Sequence, residues 1–179
     1  VSSMGSHVSV VPNHQLNRKT PLHTRANVAY FGTFGYELDL NKLSYEEISE
    51  VKQQIAFMKE YRELIQFGTF YRLKSPFEGN ETAWMTVSED KKTALVFWYR
   101  ERNVVNADFT RVRLQGLDPD FIYRNEYNGT ENYGDELMNL GLLTTDCTAG
   151  EPTSEDAPCT DYESRIYVLT TVARIPSPL

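Results

Sequence analysis

The sequence predicts an α+β chain, one strand plus helices up to about residue 75 and then short strands in an antiparallel β-sandwich. Three observations carry this. A capped, amphipathic pattern runs from Ser44 to Phe67. Past Gly68 the hydrophobic period drops from about 3.6 residues to two. Turn-rich breaks then separate the strands at short intervals, as in a sandwich or barrel.

The elements follow in order. The stretch "MGSHVSVVPNHQ", Met4 to Gln15, opens with small and β-branched residues, as a strand does, and ends in the polar segment Pro12-Asn13-His14-Gln15. Thr20-Pro21 reads as a helix start, with Thr20 as N-cap and Pro21 as the first helical residue. That helix would run through "LHTRANVAYFG" and stop near Gly32 or Gly35. Ser44-Tyr45-Glu46-Glu47 is a capping box: the serine oxygen and the glutamate carboxylate each satisfy an orphan backbone N–H. Leu43 and Ile48 sit at the staple positions around it. Ile48, Val51, Ile55, Met58 and Ile65 form one apolar stripe, and Gly68 stops the helix. The strands are "TFYRL", "AWMTVS", "TALVFWYRE", "TRVRLQ", "FIYRNE" and "SRIYVLTTV". Between them lie the breaks "SPFEGNE", "EDKK", "GLDPD" and "NGTENYG". Pro76 marks the division, giving parts 1–75 and 76–179.

Composition narrows the function. The chain has 179 residues, of which 40% are hydrophobic, an ordinary globular balance. A net charge of -7 argues against nucleic acid, because phosphate binding needs concentrated Lys and Arg. No apolar run is long enough to span a bilayer and no signal-peptide pattern is present, so no membrane partner is expected. Cys147 and Cys159 flank "TAGEPTSEDAP" and fit either one loop disulfide or two free thiols. Free thiols in a reducing cytosol are favoured, which sets the expected location as cytoplasmic.

No residue pattern assembles a complete active site. His7, His14 and His23 lack metal-ligand spacing, so no metal is expected. Walker, nucleophile-elbow and dinucleotide motifs are missing. Glu37 and Asp39 could do acid/base work as an i, i+2 pair, but a structural loop pair is favoured. Trp84, Trp98 and the eleven tyrosines could form a sugar-stacking platform, but on alternating strands they read as core.

A resemblance supplies the rest. Met4, Gly5, His7, Val8, Ser9, Pro12, Asn13, His14, Gln15, Arg18, Pro21, Leu22 and Arg25 match the pattern M-G-[AS]-H-V-S-x-x-P-N-H-Q-x-x-R-x-x-P-L-x-x-R. That pattern resembles the C-terminal part of family 36 glycoside hydrolases, the bacterial α-galactosidases. "FGYELDL", "YRELIQFGTFYRL", "SPFEGNETAWM", "LQGLDPDFIYR", "GDELMNLGL" and "SRIYVL" are similar to the family in the same order. The insert from Cys147 to Asp161 has no counterpart.

The resemblance implies a C-terminal portion of a longer enzyme. Val1 to about Val11 would be the last strand of a (β/α)₈ barrel, followed by its closing helices; residues 76–179 would be the C-terminal sandwich. The family removes terminal α-linked galactose from galactosides of the raffinose and melibiose type, using two carboxylates and no cofactor. Its nucleophile lies in a K-x-D motif and its acid/base Asp in a second motif, both upstream of "SSMG". No catalytic residue is therefore assigned here. Asn13, His14 and Gln15 would leave the barrel's catalytic face. They would either line and back the galactose pocket or only pin the loop to the rim, while His7 would point into the barrel or its helix layer. The intact enzyme is expected to be a homo-oligomer, a tetramer in this family. A non-catalytic carbohydrate-binding or oligomerisation β module is the alternative.

Overall fold

The computed structural model describes residues 3–104, 109–144 and 161–175. Cys147, Cys159 and the loop between them lie outside the described residues. The chain divides into two compact units, Val1–Phe67 and Gly68–Leu179.

The first unit is a β-α-β-α succession: β1 (Val8–Ser9), α1 (Leu22–Ala29), β2 (Tyr36–Glu37) and α2 (Tyr45–Phe67). β1 and β2 pair in parallel, with Val8 opposite Tyr36 and Ser9 opposite Glu37. This corrects the expectation of one last strand: "GYELDL" supplies a second, parallel to the first. Its pairing is fixed beside Gly32, where a Cβ would lie 2.5 Å from the Met4 carbonyl oxygen. Thr33 N–H donates to that oxygen at 2.8 Å, and Val8 N–H donates to the Gly35 carbonyl at 2.8 Å.

α1 departs from its expected ends. Pro21 is the flanking residue rather than the first helical one, and no side chain caps it. The Thr20 backbone carbonyl, accepting from Arg25 Nε at 3.0 Å, is used in place of its hydroxyl. The helix stops at Ala29, before either glycine. α2 carries the capping box as read: Glu47 N–H donates to Ser44 Oγ at 3.2 Å, and Ser44 N–H donates to Glu47 Oε2 at 2.8 Å. Its buried stripe is Val51, Gln54, Met58 and Ile65. Ile55, expected in that stripe, is exposed. Gln54 replaces it because two tyrosines need partners there. Tyr36 Oη donates to Gln54 Oε1 at 2.8 Å, and Tyr30 Oη donates to the Gln54 carbonyl at 3.3 Å. Tyr30 stacks on Phe34 at 4.8 Å and packs against Phe57 at 4.9 Å, joining the end of α1 to α2.

The second unit begins with β3 (Thr69–Lys74), β4 (Glu81–Val87) and β5 (Thr93–Arg100). β6 (Arg111–Val112), β7 (Phe121–Asn125), β8 (Glu131–Tyr133), α3 (Gly134–Asn139), β9 (Leu142–Leu143) and β10 (Glu163–Arg174) follow. Six of the strands form one antiparallel sheet in the order β3-β4-β5-β10-β7-β8. The division between units falls after Phe67 rather than at 75, because β3 pairs with β4.

Alternation puts Ala83, Met85, Val87, Ala94, Val96, Trp98, Tyr167 and Leu169 in one core. Over them lie Val112, Leu114, Leu117, Leu137 and Leu142. The opposing layer is thus the β6–β9 ribbon, the loop after β6 and α3, where a full second sheet of a sandwich was expected. "TRVRLQ" yields only the two residues of β6, and the break "NGTENYG" contains β8. Tyr123 locks the layers: its hydroxyl donates to the Lys91 carbonyl at 2.7 Å and accepts from Asp118 N–H at 3.0 Å. Trp98 is wholly buried with the Arg100 guanidinium 5.4 Å from its ring centre, so it is core and no sugar platform. Trp84 packs on Tyr99 at 4.7 Å.

Candidate functional site

Because β1 and β2 are parallel, both following loops leave the same edge of the sheet. In α/β folds that carboxyl edge is where ligands bind. The loop after β1 is tightly organised. Asn13 Oδ1 accepts from the N–H groups of Gln15 and Leu16 at 3.0 and 3.1 Å, an Asx turn. Asn13 N–H donates to the Arg18 carbonyl at 2.9 Å, and Asn17 N–H donates to the Asn13 carbonyl at 2.7 Å. Asn17 takes the left-handed backbone with φ 51 that such a tight reversal needs. The Asn13 side-chain oxygen is thus spent on its own loop, and His14 and Gln15 are exposed.

Arg25 of α1 closes the ends of that loop. Its Nη1 donates to the Ser9 carbonyl and its Nε to the Thr20 carbonyl. Burial pulls its guanidinium below the usual arginine range, opposed by the carboxylates of Glu47 and Glu50. After β2, Asp39 Oδ1 accepts from Asn41 N–H at 3.0 Å and caps a single 3-10 turn, Leu40–Lys42. Glu37 Oε2 lies 2.5 Å from His7 Nε2. The two acids read as an i, i+2 pair thus divide: one caps a turn and the other meets an imidazole. Behind the sheet, burial and the Glu50 carboxylate push the Tyr36 phenol up to about 12. Tyr30 is pushed up further, by burial first and then by Tyr36 and Glu50. Neutral Tyr36 therefore holds its hydrogen bond to Gln54 across the neutral pH range.

Among the described residues no group of three His, Cys, Asp or Glu side chains could hold a metal ion. His7, His14 and His23 stay apart in role: His7 pairs with Glu37, His14 rides the loop tip, and His23 is exposed on α1. The His7–Glu37 pair was missed in the sequence. Its signal was the alternation in "YELDL", which reads as a strand once the preceding glycines are set aside.

Parallel strands with a polar loop at their carboxyl edge, followed by an antiparallel β unit, are matched by two family profiles. Residues 1–68 match Melibiase, and residues 81–169 match the glycosyl hydrolase family 36 C-terminal domain. The chain belongs to glycosyl hydrolase family 36. It is 54% identical over 142 residues to alpha-galactosidase AgaA of Geobacillus stearothermophilus, a match covering 79% of this chain and 19% of that protein. It is 46% identical over 142 residues to the bifunctional alpha-galactosidase/sucrose kinase AgaSK of Mediterraneibacter gnavus, covering 79% of this chain and 15% of that one. The crystal structure of AgaA superposes with a TM-score of 0.85 at 47% identity, covering 96% of this chain and 22% of that chain. Variants of AgaA have been crystallised in complex with raffinose and with stachyose. The chain spans about a fifth of the length of AgaA.

Proposed function

We propose that the protein containing this chain is an α-galactosidase that removes terminal α-linked galactose from raffinose- and melibiose-type galactosides. The observation that carries the reading is the 54% identity to AgaA together with family profiles over both units. The raffinose and stachyose complexes of AgaA set the substrate class. The β-α-β-α succession is read as the closing part of a (β/α)₈ barrel, with the loop of Asn13, His14 and Gln15 on its catalytic rim. Asn13 shapes this loop, while His14 and Gln15 supply exposed groups toward a sugar.

Retaining hydrolysis needs two carboxyl groups roughly 5 Å apart. Residues 1–36 contain no Asp and no Glu. Glu37 is engaged with His7 and Asp39 caps a turn. In keeping with the family resemblance, whose two catalytic motifs lie before this segment, the catalytic pair is assigned upstream, and this chain alone is inactive. A cytoplasmic, bacterial, tetrameric enzyme completes the proposal. Exposed Phe77 and Tyr45, at 95% and 94%, are apolar surface that its other domains or subunits would cover. The test is nitrophenyl-α-galactoside hydrolysis by this chain and by the intact protein. Activity in the intact protein alone is expected. Sustained turnover by the chain would overturn the upstream assignment, and an inactive intact protein would overturn the activity itself.

A further inference from the structure

The two faces of the β1–β2 sheet differ in character. On one face Val8 is wholly buried, and Tyr36, its register partner, reaches Gln54 of α2. Side chains alternate along a strand, so His7, Ser9 and Glu37 stand on the other face. Parallel strands are usually covered on both faces and apolar on both. Here the second face is an imidazole, a hydroxyl and a carboxylate, placed where the polar loop 10–20 departs.

We propose that this face is a wall of the sugar pocket, in which His7 accepts a hydrogen bond from a galactoside hydroxyl and Glu37 is its positioning residue. The proposal rests on the α-galactosidase reading, which supplies the remaining walls. Glu37 Oε2 sits 2.5 Å from His7 Nε2. A carboxylate at one ring nitrogen fixes both the ring's orientation and the nitrogen that carries the proton. Nε2–H donates to Glu37, and the Nδ1 lone pair is left as an acceptor suited to a polyol O–H. Protonating the leaving oxygen and attacking the anomeric carbon remain the work of two carboxyl groups. The pair therefore governs binding more than turnover. A face meant only for packing would bury this imidazole and carboxylate at a desolvation cost that apolar side chains avoid.

The experiment uses the intact enzyme. His7→Ala should raise KM for raffinose roughly three- to tenfold, the worth of one neutral hydrogen bond, with kcat little changed. Glu37→Gln should raise KM in the same direction. Because Glu37 acts through His7, the double variant should be no worse than His7→Ala alone. Where His7→Ala does not fold, His7→Gln takes its place. Nitrogen-15 histidine spectra should assign the Nε2–H tautomer to His7, a mixture of tautomers in Glu37→Gln, and a shift of the His7 ring on adding galactose. Unchanged KM in both single variants, or effects that multiply in the double variant, would overturn the proposal. Should the intact protein prove inactive on α-galactosides, the functional reading fails first. The galactose titration then decides the pair by itself: a His7 ring signal unmoved at saturating galactose overturns it.

Discussion

Arg25 Nη1 donates to the Ser9 carbonyl at 2.5 Å, tying α1 to the carboxyl end of β1. The same guanidinium reaches the Thr20 carbonyl through Nε at 3.0 Å, so one side chain holds both ends of the rim loop. Lysine keeps the charge but lacks the fixed fork. Arg25→Ala should cost about 1–3 kcal/mol, as for a lost charge-assisted hydrogen bond. Arg25→Lys should speed amide exchange at Asn13, Leu16 and Asn17. Unaltered exchange in the lysine variant would mean that the Asx turn of Asn13 holds the loop unaided.

The start of α2 gives a second prediction. Ser44→Ala removes the acceptor for Glu47 N–H and should cost on the order of 1 kcal/mol. In the isolated chain Tyr45, exposed at 94%, should tolerate alanine far better. Comparable drops in thermal midpoint for the two variants would contradict the cap.

Alkaline pH should loosen the first unit. Tyr36 is a neutral acid whose folded-state pKa is raised to about 12 from the ordinary 10.0. Its stabilising contribution is complete below the unfolded value and is lost as pH climbs through the folded one. Stability should therefore decline between pH 10.0 and about 12. Tyr36→Phe should flatten part of that decline while leaving Gln54 Oε1 without its phenol donor. Denaturant titrations across this range test it, and a wild-type slope equal to the variant's would rule it out.

Gly134 opens α3 beneath the backbone of Asp118. A Cβ there would lie 2.0 Å from the Asp118 carbonyl oxygen, and backbone cannot swing aside as a side chain can. Gly134→Ala should cost roughly 1–3 kcal/mol, the usual range for overpacking. A melting temperature equal to the parent's would show that α3 shifts freely.

What the sequence revealed and what it hid follow from the range of the interactions involved. The α2 cap was legible because Ser44 and Glu47 satisfy each other within one turn. β4, β5 and β10 were legible because alternate residues of each meet the same core. β2 was not, since two residues just after a glycine-rich stretch become a strand only by pairing with distant Val8 and Ser9. α3 is short and starts after Tyr133 with no side-chain cap. Gln54 replaced Ile55 in the buried stripe through phenols that arrive from outside α2. At the candidate site, a motif singled out Asn13, His14 and Gln15. The Arg25 clamp and the His7–Glu37 contact arise only when separate elements meet.

β10 lies between β5 and β7, yet among the described residues it follows every other strand. During synthesis, therefore, β3–β4–β5 and β7–β8 emerge as two separate blocks. Each keeps a bare edge, β5 on one and β7 on the other, that no earlier segment pairs. Unpaired edges are templates for misassociation. Translation adds about 5–20 residues per second, so these edges persist while the intervening chain is made. The β unit is joined only when Glu163–Arg174 has left the ribosome. A nascent chain stalled before Glu163 would hold two sticky half-sheets, open to misassociation until this strand arrives.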